Sequence, residues 1–219
     1  MKNCNTPENQ TTRRILPIAC AAALAGAITV SLPQSANAER VTPPSVPEKI
    51  EVPVGSKAFL VGHAVGTQNY ICLPSSTGVA FKLFTPQATL FKENGKQIIT
   101  HFFGPNPVED DAIRAAWQHS RDTSTVWGQV LKPEHSTSDS DFVEPGAIPW
   151  LLVTVVGAQE GPTPGDNKLA RTTFIQRLNT SGGVAPSTGC TSAADVGNQA
   201  FVPYTADYFF YTNGENDSI

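Results

Sequence analysis

The chain has 219 residues, with 15 Lys and Arg against 19 Asp and Glu, a net charge of −4 and a 40% share of hydrophobic residues. A length of this order suits one domain with a proper core. The acidic balance gives no electrostatic reason to seek nucleic acid or anionic lipid.

The N-terminus reads as an export signal. Lys2, Arg13 and Arg14 form a basic leader, Ile15 to Leu32 an alanine-rich apolar stretch, and Ala36-Asn37-Ala38 a small-x-small cleavage pattern. A membrane anchor is the competing reading, but Pro17, Ser31 and Pro33 interrupt the run and no basic stop-transfer cluster follows. Residues 1–38 are therefore expected to be a signal peptide, and the protein to reach the periplasm or the medium. Thr12-Arg13-Arg14-Ile15-Leu16 resembles a twin-arginine signal, except that Pro17 stands where a large apolar residue is usual. Both export routes stay open. Cys20 follows Pro17-Ile18-Ala19, a poor lipid-attachment context.

Cleavage after Ala38 leaves 12 basic and 18 acidic residues, a net charge of −6. No second apolar segment approaches membrane-spanning length, so the mature chain is expected to be soluble and off the membrane. Cys4 and Cys20 leave with the leader. Cys72 and Cys190 remain, an even pair in an oxidising compartment, and a disulfide is the expectation. Two buried thiols or a shared metal site are the alternatives.

Residues 39–56 form a proline-rich lead-in (Pro43, Pro44, Pro47, Pro53) that reads as extended chain. A single β domain is expected over 57–212, with a polar tail over 213–219. Ala58–Val65, Gln68–Leu73, Val79–Phe84 and Gln97–Phe103 are strand-length runs rich in Val, Ile, Phe and Tyr. Glu93-Asn94-Gly95-Lys96 carries an Asn-Gly hairpin signal between two of them. Ser124–Leu131, Trp150–Val156, Thr172–Leu178 and Tyr204–Thr212 repeat the pattern, and the Gly/Pro/Asp-rich stretch 157–167 joins two of these strands. The fold class is all-β, an antiparallel sandwich or barrel-like domain. Asn106-Pro107-Val108-Glu109 looks like a capped helix start, so a short helix is expected over 107–118. The same stretch also reads as loop then strand, with Ile113, Ala115 and Trp117 on one face.

Several long islands resemble a known family. They include His63-Ala64-Val65-Gly66-Thr67-Gln68-Asn69-Tyr70-Ile71-Cys72, His101-Phe102-Phe103-Gly104-Pro105 and Ile148-Pro149-Trp150-Leu151-Leu152. Further islands are Phe174 through Pro186 and Val202-Pro203-Tyr204-Thr205-Ala206-Asp207-Tyr208-Phe209-Phe210-Tyr211. Their order resembles the secreted domain-of-unknown-function family 3455 of bacteria and fungi, over about residues 50–212. The resemblance implies the β fold, export and the Cys72–Cys190 bond. It leaves the activity open.

No nucleophile elbow, zinc-protease motif, Cys-x-x-Cys or phosphate loop is present, so no catalytic residue is assigned and no cofactor is expected. His63 and His101 sit in strand contexts and are candidate metal ligands, with Asp207 as a third. Hydrogen-bonded histidines at strand ends are the plainer reading. His119 and His135 lie in polar stretches and read as solvated. Glu109, Asp110 and Asp111 form an acidic cluster that reads as surface. Gln68, Tyr70, Gln176, Arg177, Asn179, Asp207 and Tyr208 interrupt strands otherwise suited to burial. A buried Arg177 needs a partner, and Asp207 is nominated. This set is either a network pinning sheet register or a small polar pocket. Trp117, Trp127 and Trp150 are candidates for a stacking platform.

The functional expectation is a non-catalytic module binding a small molecule, a glycan or a surface. The alternatives are a metal-assisted or carboxylate-based secreted enzyme built on His63, His101 and Asp207, and a purely structural envelope or stress protein. Oligomeric state is not read from the sequence. Mass spectrometry of the exported protein is expected to find Glu39 at the N-terminus; a mature protein that keeps residues 1–38 contradicts the signal-peptide reading.

Overall fold

Short apolar runs alternating with turn residues fold the chain back on itself at every connection. The computed structural model describes residues 41–162, 165 and 167–214. The expected signal peptide, its cleavage site and residues 215–219 lie outside the described residues. The strands are β1 (Ser56–Ser75), β2 (Gly78–Phe91), β3 (Gln97–Asn106), β4 (Ala112–His119), β5 (Thr125–Gln129), β6 (Ser136–Thr137), β7 (Trp150–Gln159), β8 (Phe174–Gly182) and β9 (Gln199–Asn213).

All pairings are antiparallel, in the order β5-β4-β3-β2-β1-β9-β8-β7-β6, and β5 also pairs with β7. The β5–β7 ladder, from Thr125↔Gln159 to Gln129↔Thr154, closes eight strands into a barrel, with β6 as an extra strand on β7. Of the two architectures the sequence allowed, the barrel is formed. Closure satisfies the backbone groups that an edge strand would leave unpaired. At the seam the strands run so close that a Cβ on Gly128 would lie 2.5 Å from Val153 Cγ1.

The Asn-Gly turn forms as expected. Gly95 adopts φ 76°, and Lys92 and Lys96 close the hairpin with a 2.9 Å backbone bond. The helix expected over 107–118 does not form: residues 107–111 are a turn and Ala112–His119 is β4. Asp110 and Asp111 take left-handed φ of 49° and 59°, which stops helical propagation. Asn106 Oδ1 accepts from Val108 N at 3.2 Å, and Glu109 turns back to Arg114 through bonds of 2.9 and 3.1 Å.

Period-2 alternation sends one residue in two into the barrel. At one end the interior is filled by Leu60, Leu90, Ile99, Val126, Ile175 and Phe210, all buried. Loop 160–173 adds Leu169, fully buried. Asp122 fixes this plug by accepting from Ser124 N (2.8 Å), Ser124 Oγ (2.6 Å) and Lys168 N (2.9 Å), while Ser124 Oγ accepts from Leu169 N at 3.0 Å. Burial raises the Asp122 pKa, but these donors outweigh it and leave the carboxyl below its ordinary value.

A second core lies on the outer face. Ile50, Trp150, Leu152, Leu178, Phe209 and Tyr211 are buried there with Val143 and Ala147. The lead-in is not wholly extended: Glu48–Ile50 forms one 3-10 turn that drives Ile50 into this core. Burying that side chain contributes about 1.5–3 kcal/mol.

Cys72 and Cys190 are disulfide-bonded, with Cα atoms 5.4 Å apart and a sequence separation of 118. Through the buried Cys72 the bond ties the β1–β2 hairpin to loop 183–198, where backbone bonds Cys72 N–Asn198 O (2.8 Å) and Gly197 N–Cys72 O (2.9 Å) assist it. Between Val184 and Asn198 every side chain is at least partly exposed, so the loop has little packing of its own. Reduction, or the double change C72S/C190S, is expected to cost about 2–5 kcal/mol. Thermal unfolding should move down by roughly 10 °C, and hydrogen exchange should open residues 184–198 first while the β signal in circular dichroism persists. An unchanged unfolding temperature would refute this.

Candidate binding site

Opposite the apolar plug, the barrel interior is not filled. A cavity of about 400 Å³ opens there, lined by residues of all eight barrel strands. This lies within the range of small-molecule sites, and an eight-stranded barrel is about the size that holds one small ligand.

Each wall residue follows from strand alternation. On β4, Ile113, Ala115 and Trp117 face inward, the arrangement that the loop-then-strand reading required. On β1 the inward series ends at Gln68, and on β9 Tyr208 follows Tyr204 and Ala206. β8 alternates Ile175 in, Gln176 out, Arg177 in and Leu178 out. Leu83, Phe103, Val130, Leu151 and Val153 complete an apolar wall. His101 stacks on Trp117 with ring centres 4.3 Å apart and planes 9° apart, and Tyr208 closes edge-on against Trp117 at 5.8 Å.

The seven polar residues singled out in the sequence separate into three groups. Gln68, Arg177 and Tyr208 line the cavity. Gln176 lies on the outer face, where Nε2 donates to Ile50 O at 2.6 Å and Oε1 accepts from the Tyr211 hydroxyl; it holds the lead-in. Asp207 and Asn179 are also outside: Asn179 Nδ2 donates to Asp207 Oδ2 at 2.8 Å, and Asp207 Oδ1 is 2.7 Å from His63 Nδ1. Tyr70 follows a register shift after Asn69 and donates its hydroxyl to Gly183 O at 2.6 Å, pinning the following loop.

Arg177 and Asp207 are therefore not partners, because adjacent strands present them to opposite sides of the wall. The guanidinium instead donates from Nε (3.2 Å) and Nη2 (2.8 Å) to Pro149 O and neighbours the Tyr208 hydroxyl. For the same reason His63 and His101 share no metal site. His63 lies outside between Asp207 and Glu93 (3.1 Å), next in sequence to the inward Ala64, while His101 is inside. Among the described residues no group of three metal-ligating side chains gathers. The tryptophans do not form one platform either: Trp117 lines the cavity and Trp150 packs on Phe142 in the outer core. His119 is not solvated, since it pairs with the buried Asp122 at 3.0 Å.

The cavity wall holds its tyrosine and its histidine neutral. Burial pushes the Tyr208 hydroxyl pKa up, and likewise that of Tyr204, 3.2 Å away. His101 is held down to about 3, first by burial and then by the nearby Arg177 charge, against the opposing hydrogen bond to Ala116 O. That 2.8 Å contact to a carbonyl requires the proton on Nδ1. Arg114, at the rim, is neutralised by Glu109, whose pKa is lowered chiefly by Arg114 and then by Asn106. Sequence reasoning missed Arg114, Gln129 and Leu83 as wall residues; only the inward period of β4 was visible beforehand.

A closed antiparallel barrel with a one-ended interior cavity is the class that fold and site define. The family model described as "Protein of unknown function (DUF3455)" matches residues 53–212, and the chain belongs to that family. Comparison with curated proteins and with solved structures gave no match.

His101 predicts an acid sensitivity. Its folded pKa, about 3, lies below its ordinary 6.5, so between these values the unfolded chain binds more protons. Stability therefore falls as pH drops through that window, by up to about 1.4 kcal/mol per pH unit. Asp122 acts in the same direction but only below the ordinary carboxylate range. Thermal melts between pH 7 and 5 should show a drop for the wild type that is clearly flatter for His101→Gln. Parallel slopes would refute the assignment.

Proposed function

We propose that this protein is an exported, non-catalytic module that holds one small molecule inside its barrel. The export part rests on the leader read in residues 1–38. The observation that carries the binding part is the 400 Å³ cavity itself, walled by all eight barrel strands and open at one end beside exposed Leu83 and Ile113. A barrel built only for stability gains by filling its interior, as the opposite end does.

The chemistry of the wall supports binding over turnover. General acid–base catalysis needs a group that titrates near the working pH and reaches its substrate. His101 is neutral with Nδ1 committed to Ala116 O, the cavity tyrosine is held protonated, and no carboxylate is among the residues lining the cavity. Asp207, the carboxylate of the enzyme alternative, stands on the outer face with Asn179 and His63.

The neutral, apolar fluorophore N-phenyl-1-naphthylamine tests the reading directly. Its emission is expected to rise and saturate at one molecule per folded chain. Ala115→Trp, which fills the cavity from β4, should weaken binding by about tenfold or more, the equivalent of losing about 1.4 kcal/mol. An absence of saturable binding to natively folded protein overturns the proposal.

A further inference from the structure

We propose that the molecule this cavity accepts is a small organic anion: a flat, apolar body carrying one carboxylate or sulfonate, whose acid group is met by Arg177, Gln68 and Trp117. This inference rests on the cavity being a binding site and adds the chemistry of its ligand.

The first observation is an unbalanced charge. Arg177 stands on the cavity wall, half-buried, and makes no ion pair among the described residues; its neutral neighbours are the Pro149 carbonyl, to which it donates, and the Tyr208 hydroxyl. Charges withdrawn from water are ordinarily paired, because desolvation is costly. None of the cavity-lining residues is Asp or Glu, and burial keeps Tyr204 and Tyr208 protonated, so the wall supplies no negative charge. The second cation on the wall, Arg114, is already bound bidentate to Glu109. This single free positive charge sits inside a protein whose mature part is acidic overall, so it is not a by-product of a basic surface.

The second observation is independent of charge. Two wall side chains, Gln68 at 2% exposure and Trp117 at 1%, bury donor atoms without partners: Gln68 Nε2 and Trp117 Nε1. Gln68 lies close enough to Tyr204 to influence its hydroxyl, but Nε2 makes no hydrogen bond to it of ordinary geometry. An indole N–H can only donate. Buried donors left unmatched are costly and rare, and here two of them belong to residues that line one cavity with Arg177. A neutral sugar brings donors as often as acceptors and matches this excess poorly. An acid group is acceptor-only and matches it fully. The stacked His101–Trp117 pair and the aliphatic Leu151 and Val153 then present apolar surface to the rest of the ligand.

A matched pair of fluorophores separates this inference from the one beneath it. 1-Anilinonaphthalene-8-sulfonate is N-phenyl-1-naphthylamine with one added sulfonate. Wild-type protein is expected to bind the sulfonate at least about tenfold more tightly than the neutral parent. Arg177→Gln should erase that preference by weakening the sulfonate about tenfold more than the neutral parent, and a cooperative thermal transition with the wild-type circular dichroism shows that the variant is folded. Trp117→Phe keeps a ring against His101 but removes the donor, and should weaken the sulfonate several-fold more than the parent. Equal affinities for the two probes in the wild type overturn the anion inference and leave the cavity reading standing. A preference that survives Arg177→Gln also overturns it, since the charge is then read elsewhere. Binding of neither probe overturns both.

Discussion

Everything in this molecule depends on the backbone ladder between β5 and β7. β5 is only five residues long, yet it joins the end of one run of hairpins to the start of the next and removes both free edges of the sheet. Without it Trp117 on β4 and Arg177 on β8 would belong to separate parts of an open, twisted sheet. With it they face one enclosed space. The constraint acts on composition too, since the seam tolerates no side chain at Gly128. A single short ladder thus turns a meander into a container.

The container is asymmetric along its axis. At one end aliphatic side chains and Leu169 fill the barrel, and Asp122 and Ser124 lock the loop that carries Leu169. Filling this end supplies the hydrophobic stabilisation that the open end forgoes. The open end is lined instead by aromatic rings, a guanidinium and unmatched donors. Folding therefore rests on one half of the barrel, which leaves the other half free to carry polar groups that a core would exclude.

The outer surface uses polar residues differently. Gln176 joins Tyr211 to the Ile50 carbonyl and so docks the lead-in over the second core. His63, Asp207, Asn179 and Glu93 form a chain of contacts across β1, β9, β8 and the β2–β3 turn. The Gln176 set satisfies hydrogen-bonding groups that burial would otherwise penalise, and the second set holds Asp207 between His63 and Asn179. Neither reaches the cavity. A polar residue within a strand thus has two quite different roles here, decided only by which side of the wall it faces.

Much of the fold was legible in the sequence because its causes are local. Strand runs around Gln97–Phe103 or Trp150–Val156, the Asn94-Gly95 turn and the Cys72–Cys190 pairing follow from β-propensity, left-handed turn chemistry and a two-cysteine count. The segment after Asn106 read as either a short helix or loop then strand, because Asn-Pro-x-Glu satisfies the local rule for a cap. Tertiary pairing with β3 and two left-handed aspartates overrode it. Alternation told that Gln176 and Arg177 face opposite sides, yet not which side is inside. That choice needs barrel closure, which depends on partners some thirty residues and more away in sequence, such as Thr125 and Gln159. The sequence by itself thus determined the strands, the turns and the disulfide. Only the tertiary structure decided that Gln68, His101, Trp117, Arg177 and Tyr208 share one cavity while His63 and Asp207 do not, because facing is a property of the closed sheet and not of any strand alone.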